Sequence, residues 1–103
     1  MTLRPVSDKA EVSIEFPDKL YMGSFGRESR FDAAAEADGV VLRLARGGDH
    51  KRTVDIHLHH YLLADILAAI AGSIAARPPL DEAHREPLAA AAAALRDALS
   101  RRA

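Results

Sequence analysis

The chain has no cysteine and no tryptophan, and its aromatic residues are two Tyr and three Phe. Without cysteine it can form no disulfide, no thiolate metal site and no cysteine nucleophile. Charge of one sign is also missing. The 14 Lys and Arg stand against 15 Asp and Glu, so there is no basic excess to recommend nucleic acid. The longest apolar run, residues 61–76, is broken by Asp65 and falls short of the roughly 20 residues a membrane span needs. Residues 1–8 carry no apolar h-region of a secretory signal. The expectation from these absences is a cytoplasmic chain without a membrane anchor. The sequence also contains no G-x-S-x-G, no Walker A pattern and no H-E-x-x-H. No set of carboxylates is gathered for acid–base work, and the balance leans away from an enzyme. Gly23 and Gly26 have GxxG spacing, but they lie among strand signals with no helix next to them, so the element reads as a bend.

What is present fits one small α+β domain. A chain of 103 residues buries roughly 60–68% of its unfolded surface, enough for one modest core. Residues 1–9 read as a loose leader and 10–103 as the domain. Val12, Ile14 and Phe16 alternate with Glu11, Ser13 and Glu15, the period of a half-buried strand. Pro17, Asp18 and Lys19 form a turn, and a second strand covers residues 20–25. Phe31, Ala33, Ala35 and Ala37 then share a face. Asp38 and Gly39 are the dipeptide of a tight type I′ turn, which would pair Ala37 with Val40, Ala35 with Leu42 and Ala33 with Leu44. A further turn at residues 47–50 would pair Leu44 with Val54, Leu42 with Ile56 and, on the other face, Arg43 with Asp55.

Alternation continues through Thr53, Val54, Asp55, Ile56, His57, Leu58 and His59, and then the period changes to that of a helix. The helix expected over residues 60–77 carries one stripe of Leu63, Ile66, Leu67, Ile70 and Ile74. A second stripe of Asp65, Ala68, Ala69, Gly72 and Ala76 is nearly all small. A helix apolar on most sides has to be covered on more than one. Pro78 and Pro79 stop it. Asp81 is the N-cap candidate for the next element, in which Pro87 implies either a short turn before a helix or one kinked helix. Leu88, Ala92, Leu95 and Leu99 recur at spacings of 4, 3 and 4, a seam suited to antiparallel packing on small residues. The expected architecture is two-layer α+β: an antiparallel meander of about five strands, then two C-terminal helices packed on one face.

Three functional readings fit this pattern. The leading one is a small non-enzymatic protein-interaction module of accessory or inhibitor type, acting as a homodimer or on a protein partner, without cofactor. Its candidate contacts are Tyr21, Phe25, Val41 and His57, apolar or aromatic groups on the sheet face away from the helices. The alternative is a metal-binding protein. Asp55, His57 and His59 share one strand face about 7 Å apart in successive pairs. His60 sits at the joint and His84 is in reserve, a set suited to zinc or a similar divalent ion. Against it stand the brevity of an H-x-H motif and the Arg43 partner of Asp55. The third reading is weak nucleic-acid binding through the basic hairpin of Arg43, Arg46, Lys51 and Arg52; charge balance weighs against it.

Overall fold

The computed structural model describes residues 3–47 and 51–102. The architecture is α+β, with six antiparallel strands in two sheets preceding two C-terminal helices. The strands are β1 (Arg4–Pro5), β2 (Ala10–Phe16), β3 (Lys19–Phe25), β4 (Arg30–Glu36), β5 (Gly39–Arg46) and β6 (Arg52–His59); the helices are α1 (His60–Ala75) and α2 (Glu82–Leu99). The chain divides into two units, Met1–Ile66 and Leu67–Ala103, with the boundary inside α1. Among the described residues no helix is long and apolar enough to cross a membrane.

The first unit is built from hairpins. β2 and β3 pair from Ala10↔Phe25 to Phe16↔Lys19, so Pro17 and Asp18 make the turn the sequence indicates. This hairpin forms a sheet of its own. The larger sheet has the order β1-β4-β5-β6, and the strand beside β4 is the short β1, formed where the sequence suggests only a loose leader. The meander breaks because the chain turns sharply after β3: the Ser29 N–H donates to Gly26 O at 2.9 Å, and the Val6 N–H donates to Ser29 O at 3.1 Å. That turn sinks Phe25 and Ser29, each 1% exposed.

β5 and β6 pair as the alternation requires, with Leu44↔Val54, Leu42↔Ile56 and Arg43↔Asp55. The β4–β5 pairing differs from expectation. Ala35 faces Val40, Ala33 faces Leu42 and Phe31 faces Leu44, and the two turn residues are Ala37 and Asp38. A slip of two residues keeps every side chain on its own face, so the apolar pattern cannot distinguish the two registers. The cause lies in β6. Gly39 pairs with His59 and is so close to it that a Cβ there would overlap the Leu58 carbonyl oxygen and lie 2.8 Å from His59 Cα. Its φ is not in the left-handed range. Gly39 therefore serves close approach between strands, not a positive-φ turn.

The helices follow the sequence signals closely. β6 passes into α1 with no intervening residue. α2 runs through Pro87 as one helix; the missing N–H would have reached the Ala83 carbonyl. Asp81 is its N-cap, with extended backbone (φ −64°, ψ 158°) and no side-chain capping bond. Its carboxylate instead takes the His84 ring nitrogen Nδ1 at 2.6 Å. At the other end the Ser100 hydroxyl donates to Asp97 O at 2.6 Å.

Candidate functional site

Two features of the described residues lie outside ordinary packing: a histidine–carboxylate cluster at one end of the larger sheet, and helices whose apolar side chains are uncovered. The cluster arises from the two registers just given. His57 and His59 stand two residues apart on β6 and so share a face. Gly39 pairs with His59, which places the preceding turn residue, Asp38, over the same face. Asp38 Oδ1 lies 3.1 Å from His57 Nε2 and Asp38 Oδ2 lies 4.0 Å from His59 Nδ1. The two imidazoles stack with centroids 4.6 Å apart and 27° between planes. Glu36 Oε1, at the end of β4, is 4.0 Å from His57 Nε2.

Electrostatics favour the charged carboxylate. Desolvation alone would raise the Asp38 pKa, but the His57 charge, a backbone hydrogen bond, the His57 hydrogen bond and the His59 charge outweigh it, and the carboxyl lies below its ordinary value. Asp38, His57 and His59 each offer a ligand atom, and these atoms lie within 4.8 Å of one another. All three residues are exposed.

The structure groups these histidines differently from the sequence reading. Asp55 is on the right face, but Arg43 holds its carboxylate, Nε to Oδ1 at 2.6 Å and Nη2 to Oδ2 at 3.0 Å. The guanidinium hydrogen bond, opposed by desolvation and aided by the Arg43 charge, keeps the Asp55 pKa below its ordinary value. His60 is adjacent in sequence but bonds the Ala37 carbonyl through Nε2 at 3.2 Å. His84 is paired with Asp81. Asp38 is the carboxylate beside His57 and His59 that the sequence reading leaves out. Its sequence role as a turn former hides it, although extending the β5–β6 register to Gly39↔His59 would bring the turn beside the histidines.

The residues read as a partner surface fall in different places. Phe25 is buried, so it is no surface contact; it is the buried apolar side chain of the described residues. Tyr21 is exposed in the β2–β3 sheet, edge-on to Phe16 at 6.0 Å. Val41 and His57 face one another in the larger sheet. Of the basic hairpin, Arg43 is engaged by Asp55, and Arg46 reaches Ser24 O at 3.4 Å and Glu28 at 3.6 Å. Arg46 also pairs with Arg52 across the ladder. Lys51 is exposed. His50, counted with this cluster in the sequence, lies outside the described residues.

On the opposite face of the larger sheet, Phe31, Leu42, Leu44, Val54 and Ile56 line an apolar cleft of about 320 Å³. Neither α1 nor α2 has a buried residue. Leu67, Ile70 and Ile74 on α1, and Leu88, Leu95 and Leu99 on α2, are all exposed. At Gly72, in the small-residue stripe, an added Cβ would meet nothing within 4 Å. Comparison with protein-family models, with curated proteins and with solved structures yields no match.

Proposed function

We propose that the chain is a small, non-enzymatic protein-interaction module that works as a homodimer, the helical region of one copy meeting that of a second. The observation that carries this reading is that two helices of 16 and 18 residues bury no side chain of their own while exposing seven large aliphatic side chains. Helical segments in proteins draw most of their stability from packing an apolar face, and this face is uncovered in the single chain. A second copy is the occupant because one chain carries both halves of a complementary contact. The leucine seam of α2 fits a row of small residues, and α1 presents such a row at Ala68, Ala69 and Gly72, open at Gly72.

The test is sedimentation equilibrium of untagged protein, wild type against the double variant Leu95→Ala, Leu99→Ala. These side chains are 43% and 72% exposed, so together they offer a little more than one full leucine to an interface. That is about 2–3 kcal/mol per chain. A symmetric dimer loses it twice, about 5 kcal/mol or a 10³–10⁴-fold rise in the dissociation constant. A wild type that stays monomeric up to about 100 μM, in the range where even weak pairing of about −5.5 kcal/mol would appear, refutes the proposal. So does a dimer whose affinity the double variant leaves unchanged.

A further inference from the structure

We infer that Asp38, His57 and His59 form a site for a divalent transition-metal ion, Zn²⁺ foremost, with Glu36 as the fourth protein ligand. The inference does not rest on dimerisation: all four residues belong to one chain and to its first unit.

The Asp38, His57 and His59 ligand atoms are gathered before any ion is added, lying within 4.8 Å of one another, and Glu36 stands beside them, 4.0 Å from His57. Tetrahedral zinc with bonds of about 2.0–2.2 Å sets its ligand atoms about 3.3–3.5 Å apart. The Asp38–His57 separation of 3.1 Å is near that value already. The 4.0 Å separations of Asp38 from His59 and of Glu36 from His57 close by about half an ångström each, within reach of small χ rotations of exposed side chains.

Three of the four ligands stand in paired strands, and Asp38 stands in the two-residue turn between β4 and β5. Both histidines come from one paired strand, and the Asp38 turn is held against it because Gly39 has no side chain to push β6 away. His60 ties the same turn from the start of α1 through the Ala37 carbonyl. Such an outer contact orients a ligand-bearing segment.

The donor set decides the ion. Two imidazoles with one or two carboxylates suit zinc and its first-row neighbours, whereas calcium and magnesium take oxygen ligands throughout. Two carboxylates offset the charge of a divalent ion, and the exposed position gives it a direct entry path.

The test uses Zn²⁺ itself as the probe, on untagged protein, by native mass spectrometry and calorimetric titration. Expected is one zinc per chain, with affinity reduced about 100-fold in His57→Ala and in His59→Ala, about 10-fold in Asp38→Asn, and unchanged in His84→Ala. Circular dichroism of each variant confirms folding. Imidazole ¹⁵N shifts of the wild type give a readout free of any variant: zinc should move the resonances of His57 and His59 and leave those of His84 in place. Absence of stoichiometric zinc at about 100 μM free metal overturns the site. Retention of full affinity in either histidine variant, or shifts confined to other histidines, does the same. The Leu95, Leu99 double variant should bind zinc as the wild type does, which separates failure of the metal site from failure of the dimer.

Discussion

Replacing Gly39 with Ala should cost far more than a single methyl suggests, and the structure says why. A Cβ at this position overlaps the Leu58 carbonyl oxygen and stands 2.8 Å from His59 Cα and 2.9 Å from Leu58 C. All three are backbone atoms, so no side-chain rotation relieves the clash. The end of β5 must move away from β6 and give up the Gly39↔His59 pair. Overpacking of this kind costs about 1–3 kcal/mol, and each ladder hydrogen bond lost adds about 1 kcal/mol. The combined penalty is about 2–4 kcal/mol. For a domain of this size that lowers the melting temperature by roughly 10–25 °C and leaves a folded protein to measure, since total stabilities run about 5–15 kcal/mol. The assay is thermal unfolding by circular dichroism, with Gly47→Ala as the control, since an added Cβ there meets nothing within 4 Å. A Gly39→Ala protein melting within about 3 °C of wild type, less than 1 kcal/mol on this scale, would refute the close-approach argument and with it the placement of Asp38.

Three further outcomes are expected. Phe25→Ala removes a side chain that is 1% exposed and should destabilise by about 3–5 kcal/mol in urea unfolding; a loss below about 1 kcal/mol would show that the ring is not a packing centre. The Ser29 hydroxyl is the buried side-chain oxygen without a hydrogen-bond partner among the described residues, so Ser29→Ala should be neutral or raise stability by up to about 1–3 kcal/mol, and a clear fall in melting temperature would contradict that. The Asp55 carboxyl, depressed by Arg43, should titrate below its ordinary value of 3.8. Its folded pKa is the lower one, so its contribution is complete above the unfolded value and is lost as pH falls through the folded value, below 3.8. A ¹³C titration should show the carboxyl returning upward in Arg43→Met, and an identical midpoint in both proteins would exclude the pair as the cause.

How much of the fold and site is legible in the residues depends on whether the deciding contact is local. The β5–β6 register can be read because apolar alternation and the Arg43–Asp55 charge pair agree on one answer. The β4–β5 register cannot. Asp38 and Gly39 carry a local turn signal, while the deciding contact is between Gly39 and β6, about 20 residues away in sequence. Two registers differing by two residues present identical faces, so no hydrophobic pattern separates them. The same blind spot hides Asp38 from the group that joins His57 and His59, and offers Asp55 in its place. Phe25 reads as a surface residue when the meander is extended through Gly26, whereas the Gly26–Ser29 turn redirects the chain. In α2 the leucine seam is plain, but a seam does not say whose residues fill it.

The β2–β3 hairpin is a separate two-stranded sheet, and its ladder shares no strand with the larger one. Ile14, Phe16, Leu20, Tyr21 and Met22 are all exposed, so Phe25, at the end of β3, is its one deeply anchored apolar side chain. Two-stranded hairpins are marginal on their own. Amide protons of this ladder should therefore exchange with solvent through a local opening, at a lower free energy than those of β5 and at a rate set by release of a single ring. Within the strand-built first unit, opening under mild stress should therefore begin at this hairpin.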